Sequence, residues 1–115
     1  MAQQRTAIVT GAARGIGAAI AQRFLDGGAD VVTTARSRTD ETPAAATFIA
    51  GDLSTLAGVR AFAATALETL GGVDVLVNNA GTQERHPALE FPLEAFDRVL
   101  DVNLRAVFQL SLIHI

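Results

Sequence analysis

The chain has 115 residues, half of them apolar and 18% charged, which suffices to bury the core of one domain. Its net charge of −3 argues against broad nucleic-acid binding, while a local basic site for one phosphate stays open. No cysteine is present, which excludes disulfides, thiolate metal sites and a cysteine nucleophile. No apolar run reaches the length of a membrane span, and the first residues lead straight into a strand. A cytoplasmic protein with no membrane partner is expected. All nine basic residues are arginine, so lysine is absent, and tyrosine is absent too.

Residues 6–10 read as a first strand ending in Thr10-Gly11-Ala12-Ala13-Arg14-Gly15-Ile16-Gly17. A strand that runs into spaced glycines and then into helix offers bare backbone N–H groups to an anion, and a dinucleotide pyrophosphate suits that place. The three glycines have separable tasks: the tight turn, the approach of the phosphates, and the contact between helix and strand. Their spacing is G-x-x-x-G-x-G rather than the commoner G-x-G-x-x-G, so the octamer alone also fits a plain turn of small residues. Ile16, Ile20 and Phe24 recur every four residues along the helix that follows, which Gly27-Gly28 stops with a left-handed cap.

A second strand is predicted over 31–35, and the polar stretch 37–46, with Pro43, reads as a connection to a third strand over 47–50. Ser54 or Thr55 can cap the next helix, on which Val59, Phe62, Ala63, Ala66, Leu67 and Leu70 make an amphipathic stripe closed by Gly71-Gly72. Residues 73–77 read as a short buried parallel strand, broken only by Asp74 and ended by Asn78-Asn79-Ala80-Gly81. After a loop over 82–91, Pro92 takes the first position of a helix whose apolar face holds Phe96, Val99, Leu100, Leu104, Val107 and Phe108. Asn103 falls on the same face, where a buried amide needs partners.

Strands alternating with helices predict an α/β fold, a Rossmann-like doubly wound parallel sheet cut to about its first four strands. A ligand then lies over the C-terminal strand ends, where loops 10–17 and 78–81 both fall. Residues 1–111 form part of one dinucleotide-binding domain, and 112–115 form an atypical tail.

Thr10-Gly11-x-x-x-Gly15-Ile16-Gly17, Asp52-Leu53 after the third strand, Asn78-Asn79-Ala80-Gly81 and Asn103 resemble, in order and spacing, the short-chain dehydrogenase/reductase family. The resemblance covers about residues 6–111. It implies that Gly11, Arg14, Gly15, Ile16 and Gly17 line the pyrophosphate and nicotinamide end. Asp52 and the Leu53 backbone would hold adenine, and Asn79, Ala80 and Gly81 would run beside the ribose. Asn103 would kink its helix and hold a water of the proton relay. Plainer readings stand beside these: Asp52 capping the following helix, Asn78 only fixing a strand end, and Asn103 as a satisfied core amide.

Cofactor choice is made at the end of the second strand, where an acid accepts from a ribose 2′-OH and an arginine takes a 2′-phosphate. Ala35 stands where the family's NAD-type members carry the acid, and Asp30 begins the strand, too far away. Arg36 with Arg14 would clamp the phosphate, so NADP(H) is expected over NAD(H). The alternative leaves Arg36 and Arg38 as solvated charges.

The resemblance further implies hydride transfer between nicotinamide and a small alcohol or ketone. The family's serine, and its tyrosine four residues before a lysine, lie in the half that follows, the lysine lowering a tyrosine pKa of about 10. With neither Tyr nor Lys, this chain holds at most the cofactor half of such a site, and no turnover is expected. Family members are considerably longer, so the chain reads as truncated, and 111–115 resemble a translated sequencing adapter. Truncation uncovers the edge of the fourth strand and the apolar face of the last helix, and the full-length parent is expected to be a homo-oligomer through that helix. Segment 78–91 looks similar to members acting on sugar acids, where Arg85 would face a carboxylate if it is not simply solvated. His86 and His114 read as ordinary solvated side chains. A rival from another class, a non-catalytic dinucleotide-binding sensor or scaffold, explains the missing Tyr and Lys without truncation. An apolar interaction domain with no ligand is a third reading.

Overall fold

The computed structural model describes residues 4–112; His114 and most of the tail 112–115 lie outside them. Four parallel strands stand in the order β3-β2-β1-β4: β1 (Thr6–Thr10), β2 (Asp30–Ala35), β3 (Thr47–Ala50) and β4 (Val75–Val77). Helices α1 (Gly15–Asp26) and α2 (Leu56–Leu70) connect them. A 3-10 turn (Ala88–Glu90) then precedes one long helix in three parts: α3 (Leu93–Leu100), a π segment (Asp101–Arg105) and α4 (Ala106–Ser111). The expected α/β doubly wound sheet is present, with β1 between β2 and β4.

Side chains alternate across a strand, so β1 feeds two cores at once. Ile8 joins Val32, Val59, Phe62 and Leu110 on the face covered by α2 and α4. Ala7 and Val9 join Val31, Ala21 and Ala46 on the face covered by α1. Burial on both faces is what parallel strands with helical crossovers require. Helix α2 follows its predicted stripe: Val59, Phe62, Ala63 and Ala66 are buried, Thr55 caps its start through Gly58 N–H at 2.9 Å, and Gly71 (φ 74°) ends it in the left-handed region. Helix α1 ends on the predicted glycine pair, with Gly28 (φ 91°) supplying the left-handed residue.

Several expectations need correction. On helix α1, Ile20 and Phe24 of the predicted row pack half-buried against the core beside buried Gly17, Ala18 and Ala21, but Ile16 is 76% exposed. Strand β4 starts at Val75 rather than 73, since Asp74 Oδ2 accepts the Thr6 N–H at 2.8 Å and closes the ladder with a side chain. It is half-buried, not buried, because it pairs only with β1. Pro92 (φ −63°, ψ 136°) is the residue before the helix, not its first turn.

The largest correction concerns the long helix. Its buried residues are Ala95, Ala106 and Leu110, whereas Phe96, Leu104 and Phe108 are 52%, 65% and 66% exposed. The helix is apolar on two sides, and the side carrying Ala95, Ala106 and Leu110 is the buried one. Periodicity alone does not distinguish them. Phe96, Leu104 and Phe108 are left uncovered among the described residues.

These two environments predict opposite outcomes for one chemical change. Phe62→Ala should cost about 3–5 kcal/mol through the cavity it leaves. Phe108→Ala should cost less than about 0.5 kcal/mol. Urea denaturation of the two variants beside the parent checks the contrast.

Candidate functional site

The site begins where β1 ends. The Thr10 hydroxyl accepts the N–H groups of Asn79 and Ala80 at 3.0 and 2.9 Å, which locks the ends of β1 and β4 together. Gly11 and Ala12 N–H groups donate to Thr34 O at 2.8 and 3.3 Å, tying the same turn to the end of β2. Gly11 lies in the left-handed region (φ 66°), and a Cβ there would stand 2.7 Å from Ala80 Cα. Gly15 is also left-handed (φ 61°) but faces open space, so its backbone, not crowding, demands glycine. At Gly17 a Cβ would stand 2.4 Å from Gly11 O and from Asn79 Nδ2. The backbone thus demands glycine for the tight turn at Gly11 and for the close approach of helix and turn at Gly17.

Helix α1 starts at Gly15 with no side-chain cap and no acid in its first turn. The N–H groups of Gly15, Ile16 and Gly17 have no acceptor among the described residues. An anion is the partner such a terminus suits.

A cleft of about 770 Å³ opens over these strand ends. Of the residues singled out from sequence, Gly11, Arg14, Arg36, Asp52, Leu53, Ala80 and Gly81 line it. Arg14 and Arg36 are exposed there with no ion-pair partner among the described residues. Ala35 presents only a methyl at the end of β2, and no carboxylate stands beside it on the strand. Asp52 Oδ1 accepts from Ser54 N–H at 2.9 Å and Ser54 Oγ at 2.6 Å. These bonds, helped by the charge of Arg36, hold its carboxyl below the usual aspartate range against a small opposing effect of burial. Asp52 thus closes the turn before α2 while its carboxylate stays at the cleft, and Thr55 does the helix capping. The Leu53 side chain is in the core, which leaves its backbone to the cleft.

The remaining predicted residues lie apart from the cleft. Ile16 and Gly15 stand at the exposed start of α1, and Gly17 is buried beneath. The Asn79 amide donates to Gly11 O at 3.1 Å, so it buttresses the glycine turn from below. The side chain of Asn78, expected to fix the strand end, makes no hydrogen bond among the described residues; Thr10 and Asn79 perform that task instead. Asn103 is exposed rather than set in an apolar core. It sits in the π segment and clamps Thr82 from both sides, accepting from its N–H at 2.8 Å and donating to its C=O at 2.9 Å. Arg85 is exposed outside the cleft, and His86 lies edge-on to Phe91 at 5.0 Å and 3.5 Å from Glu84.

Sequence reasoning missed Arg98 and Val102, which line the cleft from the long helix one turn apart, and Arg98 pairs with Glu84. That ion pair holds the Glu84 carboxyl below its usual range. It also missed Gly58, where a Cβ would fall 1.8 Å from Asp52 O. A glycine inside an otherwise regular helical stripe was the available signal.

The family model described as short chain dehydrogenase matches residues 5–114. Among curated relatives, 3beta-hydroxysteroid dehydrogenase 1 of Eggerthella lenta is 38% identical over 114 residues, covering 90% of this chain and 44% of that protein. The chain therefore spans under half the length of that relative. A blue fluorescent protein from a metagenomic library, solved in complex with NADPH, superposes with a TM-score of 0.84 at 35% identity, over 96% of this chain and 49% of that one. The 3-ketoacyl-(acyl-carrier-protein) reductase of Brucella melitensis, solved with NADH, does so at 0.80 and 38%, over 93% and 47%.

Two outcomes follow from the geometry. Gly17→Ala should destabilise the protein by about 1–3 kcal/mol by forcing the glycine turn off Asn79, measurable by thermal or urea unfolding. Ser54→Ala should raise the Asp52 pKa part of the way toward its ordinary value, because the hydroxyl donor that favours the charged form is lost while the backbone N–H of residue 54 remains. Stability contributed by ionised Asp52 is complete above the unfolded pKa and disappears as pH falls through the lowered folded one, so in the variant the contribution is smaller and its loss is complete at a higher pH. Carboxyl ¹³C titration of Asp52 reads the shift directly.

Proposed function

Because the chain belongs to the short chain dehydrogenase family, we propose that it supplies the cofactor-binding half of an NADP(H)-dependent oxidoreductase acting on a small alcohol or ketone. The observation that carries the reading is the pair of unpaired arginines, Arg14 and Arg36, lining with left-handed Gly11 a cleft over the strand ends, next to which α1 begins at left-handed Gly15 with its first amides unengaged. In this reading the α1 amides receive the pyrophosphate, Arg36 and Arg14 take the 2′-phosphate, and Asp52 with the Leu53 backbone takes the adenine. Ala80 and Gly81 leave the ribose room. Bound there, the nicotinamide ring supplies or accepts a hydride.

The chain's own residues bind and orient, and they move no proton, since Tyr and Lys are both missing. Asn103 then serves by fixing Thr82 and the wide helical turn. The sugar-acid class rests on the likeness of segment 78–91 alone, and no carboxylate-binding role is assigned to Arg85, which lies outside the cleft. The uncovered row of Phe96, Leu104 and Phe108 supports self-association of the parent through the long helix.

The missing Tyr and Lys favour one second reading, a non-catalytic dinucleotide-binding sensor or scaffold. The gene beyond codon 111 separates the two. A downstream serine and Tyr-x-x-x-Lys select the enzyme, and a stop codon in independent reads selects the module.

For the cofactor, calorimetric titration should show NADP⁺ bound more tightly than NAD⁺. Arg36→Ala should weaken NADP⁺ by about tenfold or more, as expected for loss of a charge-assisted bond of roughly 1.5–3 kcal/mol. An unchanged NADP⁺/NAD⁺ ratio in that variant would overturn the preference.

A further inference from the structure

The connection from β2 to β3 contains only turns and bends, yet it carries Arg36 and Arg38 and forms one wall of the cleft at Arg36 and Ser37. Parallel strands are usually joined by a helix that packs on the sheet. Without one, something else must hold this segment in place.

Two threonines do so, on a single acceptor. The hydroxyls of Thr39 and Thr42 both donate to the carbonyl oxygen of Ala13, the latter at 3.2 Å. A carbonyl has two lone pairs and accommodates both. Each hydroxyl also accepts once: Thr42 Oγ1 takes the Thr39 N–H at 3.0 Å, and Thr39 Oγ1 takes the Glu41 N–H at 3.2 Å. The Thr42 N–H closes the ring on Thr39 O at 3.1 Å. Thr42 is buried at 5% exposure, as is Ala13 at 6%. The residue after Ala13 is Arg14, and Thr39 follows Arg36 by three positions. The bonds therefore join the two loops that bring the unpaired cations to the cleft.

We propose that Thr39 and Thr42 are positioning residues that set the spacing of Arg14 and Arg36, and through it the preference for a ribose carrying a 2′-phosphate over one carrying a hydroxyl. The inference rests on the dinucleotide reading above. Neither threonine lines the cleft, so their effect passes through the arginines. A role in stability alone would weaken both dinucleotides together. A role in spacing the cations weakens only the one with the extra phosphate.

Calorimetric titrations of NADP⁺ and NAD⁺ on the parent protein, Thr42→Val, Thr42→Ser and Thr39→Val distinguish these. Each Val variant should raise the NADP⁺ Kd by about five- to tenfold, the size expected for one or two lost hydrogen bonds, with NAD⁺ within about twofold. Thr42→Ser, which keeps the hydroxyl, should restore the NADP⁺ value. Equal weakening of both dinucleotides, or no change in either, overturns the inference while the NADP reading stands. A parent protein that prefers NAD⁺ overturns the NADP reading and this inference with it. Far-UV circular dichroism checks folding, and if Thr42→Val fails to fold, the less buried Thr39→Val decides.

Discussion

Everything at the mouth of this sheet depends on the absence of three atoms. Cβ groups at residues 11 and 17 would fall 2.7 Å from Ala80 Cα and 2.4 Å from Gly11 O. Only bare backbone lets the first turn, the start of α1 and the end of β4 occupy the same small volume. Once they do, Thr10 and Asn79 fill the remaining hydrogen-bonding needs from beneath, by way of the Asn79 and Ala80 amides and the Gly11 carbonyl. The third missing Cβ, at Gly58, lets α2 approach the Asp52 carbonyl and so fixes the opposite wall of the cleft. Close packing in one layer thus dictates the shape of an opening in the next.

Charge is arranged on that shape. Helix α1 begins next to the cleft with uncapped amides, and Arg14 and Arg36 line the cleft with full positive charges. The one carboxylate lining the cleft, Asp52, is held below the usual aspartate range chiefly by hydrogen bonds from Ser54, a neighbour two residues away, with a smaller contribution from Arg36. The cleft combines a positive rim with a hydrogen-bond acceptor, a pairing that suits a phosphorylated nucleotide better than a simple anion.

Much of this was legible in the residues. Strands β1 and β3 and the whole of α2 fall where alternation, turn residues and the Val59 to Leu70 stripe put them, because there local preference and tertiary packing agree. The need for glycine at residues 11 and 15 was legible for the same reason, since the left-handed backbone there is a local demand. What was not legible involves partners far apart in sequence. Asn78 and Asn79 are chemically identical, and only the position of the Gly11 carbonyl, 68 residues from Asn79, decides which one buttresses the turn. The long helix offers two apolar sides, and only its packing against the core decides that the side with Ala106 and Leu110 is covered and the side with Phe96, Leu104 and Phe108 is not. The Asp74 carboxylate that shortens β4 has its partner in Thr6, likewise 68 residues away.

The π segment Asp101–Arg105 gives the long helix a property that a regular helix lacks. Such a wide turn holds one surplus residue, which offsets the azimuth of everything beyond it by about 100° from what an unbroken α-helix would give. Asn103 stands inside that turn and grips both peptide groups of Thr82. The residue at the surplus position thus faces the loop and not the sheet, and its amide ties the helix to Thr82 at the lip of the cleft.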